Sequence, residues 1–249
     1  MPRADAIGEL KCSGRTLDEL GADQIDLAVM PAGAHHPAEM SRDAMRPLAT
    51  CALTFIIGTV IAAQAAAPAR LVPLIFETEL GRITLEVDGA HAPITAANFL
   101  RYVDAKFYDG GAVDRAVRPD NTTRHDVEIQ VIQFQINPAR QADTFPPIPL
   151  ERTSLTGLTH GDGTISMARG GPDSATASFF VAIGDQHELD AGGKRNADGQ
   201  GFAAFGRVID GMDVVRKIQS APTQPAGARG PFGTETLSPP IRVSRAFRK

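Results

Sequence analysis

The sequence of 249 residues contains no tryptophan and only two tyrosines, Tyr102 and Tyr108, so its intrinsic fluorescence comes from tyrosine alone. It has two cysteines, Cys12 and Cys51, both in the first fifth of the chain. Everything beyond Cys51 therefore lacks both thiols and disulfides, and its stability must come from packing. An excess of positive charge is also missing. Lys and Arg number 25 against 29 Asp and Glu, a net charge of −4, so there is no basic footprint for nucleic acid. The histidines at 91, 125, 160 and 187 show no metal-ligand spacing. There is no Gly-x-Ser-x-Gly nucleophile elbow, no internal repeat and no low-complexity tract. Gly192, Gly193 and Lys194 lack the rest of a phosphate loop, and Asp190, Asn196 and Asp198 are interrupted by Lys194 and Arg195 with no closing Glu. No metal and no cofactor is expected.

The N-terminal quarter reads differently from the rest. Residues 47–69 carry no charge, Arg42 and Arg46 precede them, and the apolar run 48–63 leads into Ala63-Gln64-Ala65. A basic stretch, an apolar stretch and an A-x-A site describe a secretory signal peptide. The expected signal is residues 40–65, starting at Met40 or Met45 and cleaved after Ala65. Residues 1–39 read as an over-long N-terminal extension. The alternative is an uncleaved segment acting as a membrane anchor. Cys51 lies too early for a lipoprotein site. Without residues 1–65, 20 basic and 21 acidic residues remain. Long-range steering by charge is then weak, and the expected location is periplasmic or secreted.

From residue 71 the pattern is that of short strands. Ile83, Leu85 and Val87 alternate with Thr84 and Glu86, the period of a half-buried strand. Residues 73–78, 127–136, 164–168, 179–183, 202–209 and 241–247 are further strand candidates. A helix follows Pro93, with Thr95 a possible cap and Ala96, Phe99, Leu100 and Val103 on one face. Residues 211–220 form a second helix, with Met212, Val215 and Ile218 inward. Residues 222–240 read as a mobile Pro/Gly-rich loop. Many short strands with Gly-rich connections and two helices predict a mainly β fold, a closed barrel, in one domain over residues 71–249.

The most informative stretch is residues 163–181. Gly163, Ser166, Met167, Ala168, Gly171, Pro172, Phe179 and Phe180 match the pattern G-x-[IL]-S-M-A-[NR]-x-G-P-[ND]-x-x-x-S-Q-F-F-[IV]. Ala177 and Ser178 depart from it. The stretch resembles the central signature of the cyclophilins, the β-barrel peptidyl-prolyl cis-trans isomerases. The resemblance covers about residues 72–247 and implies an eight-stranded antiparallel barrel capped by two helices. It also implies a groove that holds prolyl peptides of unfolded protein clients, in a protein acting as a monomer.

It further implies roles for particular residues. After Phe107, Tyr108, Asp109 and Gly110, Arg115 matches the catalytic Arg of the family's F-H-R motif, whose Phe and His are Val113 and Asp114 here. Arg118 is the nearest competitor. Asp114 is expected to face away from Arg115, because neighbouring strand residues point to opposite faces. Gln133, following Val131 and Ile132, matches the catalytic Gln; Gln130 is the alternative. The spacing from Arg115 is longer than usual, and residues 120–128 read as an inserted loop. Phe180 is the implied floor of the proline pocket, with Val131 in place of the usual Met and Leu189 as the far wall. Phe202, Phe179 and Ser178 complete the substrate-binding set, and the backbone of Ala168, Arg169 and Gly170 pairs with the peptide as an added strand. Glu188 stands where the family has a Trp that contacts cyclosporin, so weak inhibition is expected. Together the departures leave a second reading, a module that binds prolyl peptides without turning them over. A third, an unrelated β-barrel, would lack Arg115 near Phe180.

Overall fold

Two-residue alternation builds the structure, a computed structural model that describes residues 71–122 and 124–249. The expected signal, the extension before it and any anchor lie outside the described residues. β1 (Leu71–Thr78) and β2 (Gly81–Asp88) form an antiparallel hairpin. On β2, Ile83, Leu85 and Val87 point into the core. The other strands are β3 (Ala112–Val117), β4 (Val131–Gln135), β5 (Thr164–Met167), β6 (Phe179–Ala182), β7 (Ala204–Asp210) and β8 (Thr236–Arg248). They close into one antiparallel barrel in the order β1-β2-β7-β5-β6-β4-β3-β8. Closure leaves no unpaired edge strand. Gly206 is needed where β7 meets β2, because a Cβ there would lie 2.2 Å from the Glu86 carbonyl oxygen.

The barrel interior is aromatic. Phe76, Phe99, Tyr108, Phe134, Phe179 and Phe205 are fully buried, and Phe134 stacks on Phe179 at 4.6 Å. Tyr108 donates its hydroxyl to the Ala177 carbonyl at 2.6 Å, which satisfies its polar end. Helix α1 (Pro93–Asp104) adds Phe99 to this cluster, 5.0 Å from Phe179. Its N-terminus is not capped by Thr95. The Glu151 carboxylate, from a distant loop, accepts hydrogen bonds from the Ile94 and Thr95 N–H groups and from the Thr95 hydroxyl, at 3.1, 2.7 and 2.6 Å. A one-turn helix, α2 (Thr153–Thr156), is additional to the two expected. Helix α3 (Met212–Gln219) buries Val215 and Ile218 against the core.

The alternation sorts residues to two surfaces. On β4, Ile132 and Phe134 face inward, while Val131 and Gln133 face outward. On β6, Phe179 and Val181 face inward and Phe180 outward. The placement of Phe179 in the substrate-binding set is thus corrected. It is a core residue, because adjacent strand residues cannot share a face. The loop expected to be mobile is also partly built into the fold. Residues 233–235 form a 3-10 turn, Glu235 is buried, and residues 236–240 belong to β8.

Phe179→Ala should lower unfolding stability by about 3–5 kcal/mol through the cavity it leaves. Folded variant should still bind prolyl peptides with affinity close to that of the parent. Chemical denaturation and peptide titration check this, and a mutant of near-parent stability would contradict the core assignment.

Candidate active site

A β-bulge sets the site. The pairing of β3 with β4 shifts between Val113 and Arg115, so that Val113 pairs with Phe134 and Arg115 with Gln133. Val113 is buried in the interior, whereas Arg115 lines an outer groove. Asp114 is absorbed into the bulge, which brings it to the outward side with Arg115. The expectation that Asp114 faces away is corrected for this reason, since a bulge breaks strict alternation.

Arg115 is held on three of its nitrogens. Nε and Nη2 donate to Glu235 Oε2 at 2.9 and 2.6 Å, and Nη1 donates to Gln133 Oε1 at 3.1 Å. The other Glu235 oxygen accepts from the Thr122 hydroxyl at 3.0 Å. The Phe232 ring lies 4.8 Å from the guanidinium carbon. The Arg115 side chain is 18% exposed and that of Glu235 7%, so the pair is shielded from water. Such a pair does little for stability but fixes direction. Three of the five guanidinium N–H donors are used, and two remain for the groove.

Beside Arg115 lies an apolar floor. Val117, Ile129, Val131, Phe180 and Leu189 form a second buried cluster, with Ala168 and Phe202 packed on it. The Phe202 ring meets Phe180 edge-on at 5.3 Å. The groove above them has a volume of about 300 Å³. Arg169 forms a bidentate pair with Asp198 at 2.8 and 2.9 Å and donates to the Gly201 carbonyl at 2.7 Å. Arg169 pulls the Asp198 carboxyl down to about 2. Gly201 has φ +66°, and a Cβ there would strike the Asp190 backbone at 2.5 Å, so glycine is required just before Phe202.

Under the floor is a buried polar line. His160 Nδ1 lies 2.7 Å from Asp190 Oδ1, and its Nε2 lies 2.9 Å from the Ser166 hydroxyl. The His160 ring stacks 5.9 Å from Phe180. The residue types are those of a nucleophilic triad, but Ser166 and His160 are fully buried, with no access for a substrate. The line instead fixes Phe180 from beneath and, through Asp190, the adjacent Leu189. Burial pushes the Asp190 carboxyl up, yet the hydrogen bonds with His160 and His187 outweigh it, and the carboxyl rests below its ordinary value.

The structure thus brings Arg115, Gln133, Phe180, Leu189, Val131, Phe202, Ala168 and Arg169 to one groove. Ser178 lies beside it rather than in it. Its hydroxyl donates to Gln135 Oε1, and its carbonyl accepts from the Ala168 N–H. Arg118 binds the Gln219 and Ala221 carbonyls at 2.6 and 3.2 Å, away from the floor. Gln130 pairs with Gln219. Glu188 is exposed and accepts from the Lys194 N–H at 2.8 Å. Sequence reasoning missed Glu235, Thr122, Phe232, Arg124 and Arg195. No local pattern marks Glu235, which reaches Arg115 across 120 positions. Among the described residues, no group of three or more His, Cys, Asp or Glu side chains is arranged to hold a metal.

A family model described as Cyclophilin type peptidyl-prolyl cis-trans isomerase/CLD matches residues 74–246. The chain belongs to this family. A peptidyl-prolyl cis-trans isomerase of Acinetobacter baylyi is 37% identical over 152 residues, covering 61% of this chain and 73% of the relative. One from Streptomyces antibioticus is 39% identical over 147 residues, covering 59% and 82%. The crystal structure of a Cryptosporidium parvum cyclophilin type isomerase matches with a TM-score of 0.55 at 15% identity, over 72% of this chain and 98% of that chain, which is a likeness of fold. As a cyclophilin, this chain replaces the Phe and His before its Arg by Val113 and Asp114. Val113 is buried in the barrel opposite Phe134, its strand partner.

Asp114 has a measurable consequence. Burial pushes its carboxyl up to about 6, opposed only in part by Gln135 and Arg115. Its Oδ1 is buried without a hydrogen-bond partner. A carboxyl raised on folding binds more protons folded than unfolded, so stability falls as pH rises from about 4 through 6. Asp114→Asn should therefore stabilise the protein above pH 7 by about 1–2 kcal/mol, a figure reduced for partial solvent exposure. The gain should vanish near pH 4. Denaturation at several pH values checks this, and a gain independent of pH would contradict it.

Proposed function

We propose that this cyclophilin rotates X-Pro peptide bonds of unfolded polypeptides outside the cytoplasm, with Arg115 as the catalytic residue. Amide resonance sets a barrier of ~18–20 kcal/mol to that rotation. No nucleophile or metal is needed to lower it. In the twisted amide the prolyl nitrogen regains a lone pair, and a donor fixed toward that lone pair binds the transition state better than the planar ground state. The carrying observation is the Arg115 guanidinium, oriented by Glu235 and Gln133 beside the Phe180 floor. Phe180, Val131, Leu189 and Phe202 hold the proline ring. The Ala168–Gly170 backbone pairs with the flanking chain, and Gln133 accepts a hydrogen bond from Arg115 while holding the peptide.

Export is supported by the basic, apolar and A-x-A segments of residues 40–65. Folding clients there are reached without ATP, which this reaction does not need. Action as a monomer is supported by closure of the barrel, which offers no strand edge to a partner. The displacement of Ser178 from the groove and the loss of Trp at Glu188 favour, as a second reading, peptide binding without turnover.

Three measurements test these readings. The protein should accelerate isomerisation of a short X-Pro peptide, and Arg115→Ala should lower kcat/KM by about a hundredfold to a thousandfold while the fold is retained. Binding by both proteins without acceleration would establish the second reading. Cyclosporin should inhibit only weakly, because exposed Glu188 offers no indole surface; sub-micromolar inhibition would contradict this. For export, N-terminal sequencing of secreted material should give a start close to Ala66.

A further inference from the structure

The groove is lined by four arginines, Arg115, Arg124, Arg169 and Arg195, and by no acidic residue. Three of them are paired with a carboxylate outside the groove lining. Arg115 pairs with Glu235 at 2.6 Å, Arg124 with Asp126 at 2.7 Å and Arg169 with Asp198 at 2.8 Å. Arg195 differs. Among the described residues no carboxylate lies within ion-pair distance of it, and its side chain meets one acceptor, the Val127 carbonyl, at 3.1 Å. A guanidinium has five N–H donors, so most of its donor capacity remains for the groove that it lines.

Its position is prepared rather than floppy. The Arg195 N–H donates to the Glu188 carbonyl at 3.2 Å, and its carbonyl accepts from Arg124 Nη1 at 2.8 Å. The residue is half-buried. Burial, with Arg115 and Arg124 nearby, pushes its pKa down, opposed only in part by the Glu235 and Asp126 carboxylates, neither of which lies within ion-pair distance. A partly buried cation without a partner is unfavourable, and an incoming anion relieves that cost. A carboxylate fits the guanidinium fork in two parallel hydrogen bonds.

We propose that the groove selects prolyl peptides carrying a carboxylate next to the proline, and that Arg195 is the residue that binds it. The inference rests on the proline-binding reading of the same groove and adds a substrate class to it. The carboxylate comes from an acidic side chain after the proline or from the end of a chain that terminates in proline.

The test uses the full chain and three peptides identical except for Glu, Gln or Lys after the proline. A second pair ends in proline, as free acid or amide. Affinity is measured by titration calorimetry at low and high salt, and turnover by exchange NMR. The Glu peptide should bind about fivefold to tenfold tighter than the Gln peptide at low salt, with Lys weakest and the ratio shrinking in high salt. In Arg195→Gln the Glu-to-Gln ratio should fall to near one, whatever happens to the absolute affinities. Should that variant bind neither peptide, Arg195→Lys, which keeps the charge, decides: a retained Glu preference supports the proposal and equal affinities overturn it. Equal affinities in the parent protein within both peptide sets, or a preference that survives in Arg195→Gln, would also overturn it. A tighter free acid than amide identifies the chain end as a source, and a Glu preference identifies the side chain. Charge preference without accelerated exchange would contradict the isomerase mechanism and leave this inference standing. Equal acceleration and equal binding of all three peptides would do the reverse.

Discussion

The ion pair between Arg115 and Glu235 is the constraint on which the functional surface depends. Arginine is protonated at any working pH, so its charge needs no tuning; its direction does. A guanidinium beside an apolar floor would otherwise turn toward water. Glu235 takes two of its nitrogens and Gln133 a third, and Thr122 holds the second carboxylate oxygen. Each of these partners comes from a different segment: the 3-10 turn before β8, strand β4 and the inserted loop after β3. The long loops therefore serve the groove, and their irregular composition reflects placement of a few side chains rather than lack of structure.

The barrel supports this arrangement through alternation. Phe134 and Phe179 stack inside, and their neighbours Gln133 and Phe180 are thereby forced outward onto the groove. The His160–Ser166–Asp190 line then braces Phe180 and Leu189 from below. Packing of the interior and geometry of the site are two faces of the same strands. A change in core register by one residue would turn Phe180 into the interior and Phe179 out onto the groove.

Much of this was legible in the sequence. The strand at 83–87, the helix after Pro93 and the run at 163–181 carried strong periodicity or a long motif, and each became the element expected. Arg115, Gln133 and Phe180 followed from motif spacing, and the structure places them together. What escaped was set by tertiary contacts. The bulge at Asp114 has no signal in a six-residue strand, because it reflects competition between Val113 and Arg115 for opposite surfaces. Glu235 sits in a stretch whose Pro and Gly content reads as loop, and its partner is 120 residues away. Phe179 was drawn into the site by its neighbour Phe180, although strict alternation already argued against it. Arg124 and Arg195 lie in loops whose paths no periodic pattern reveals.

The central claim is that Arg115 works because Glu235 holds it. A double-mutant cycle tests this most directly, with kcat/KM on one X-Pro peptide measured by exchange NMR for Arg115→Lys, Glu235→Gln and the double variant. If Glu235 acts only through Arg115, each single change lowers kcat/KM and the double variant falls little further than Arg115→Lys alone. If the two losses instead multiply, Glu235 acts independently of Arg115, and the account of a held guanidinium is wrong.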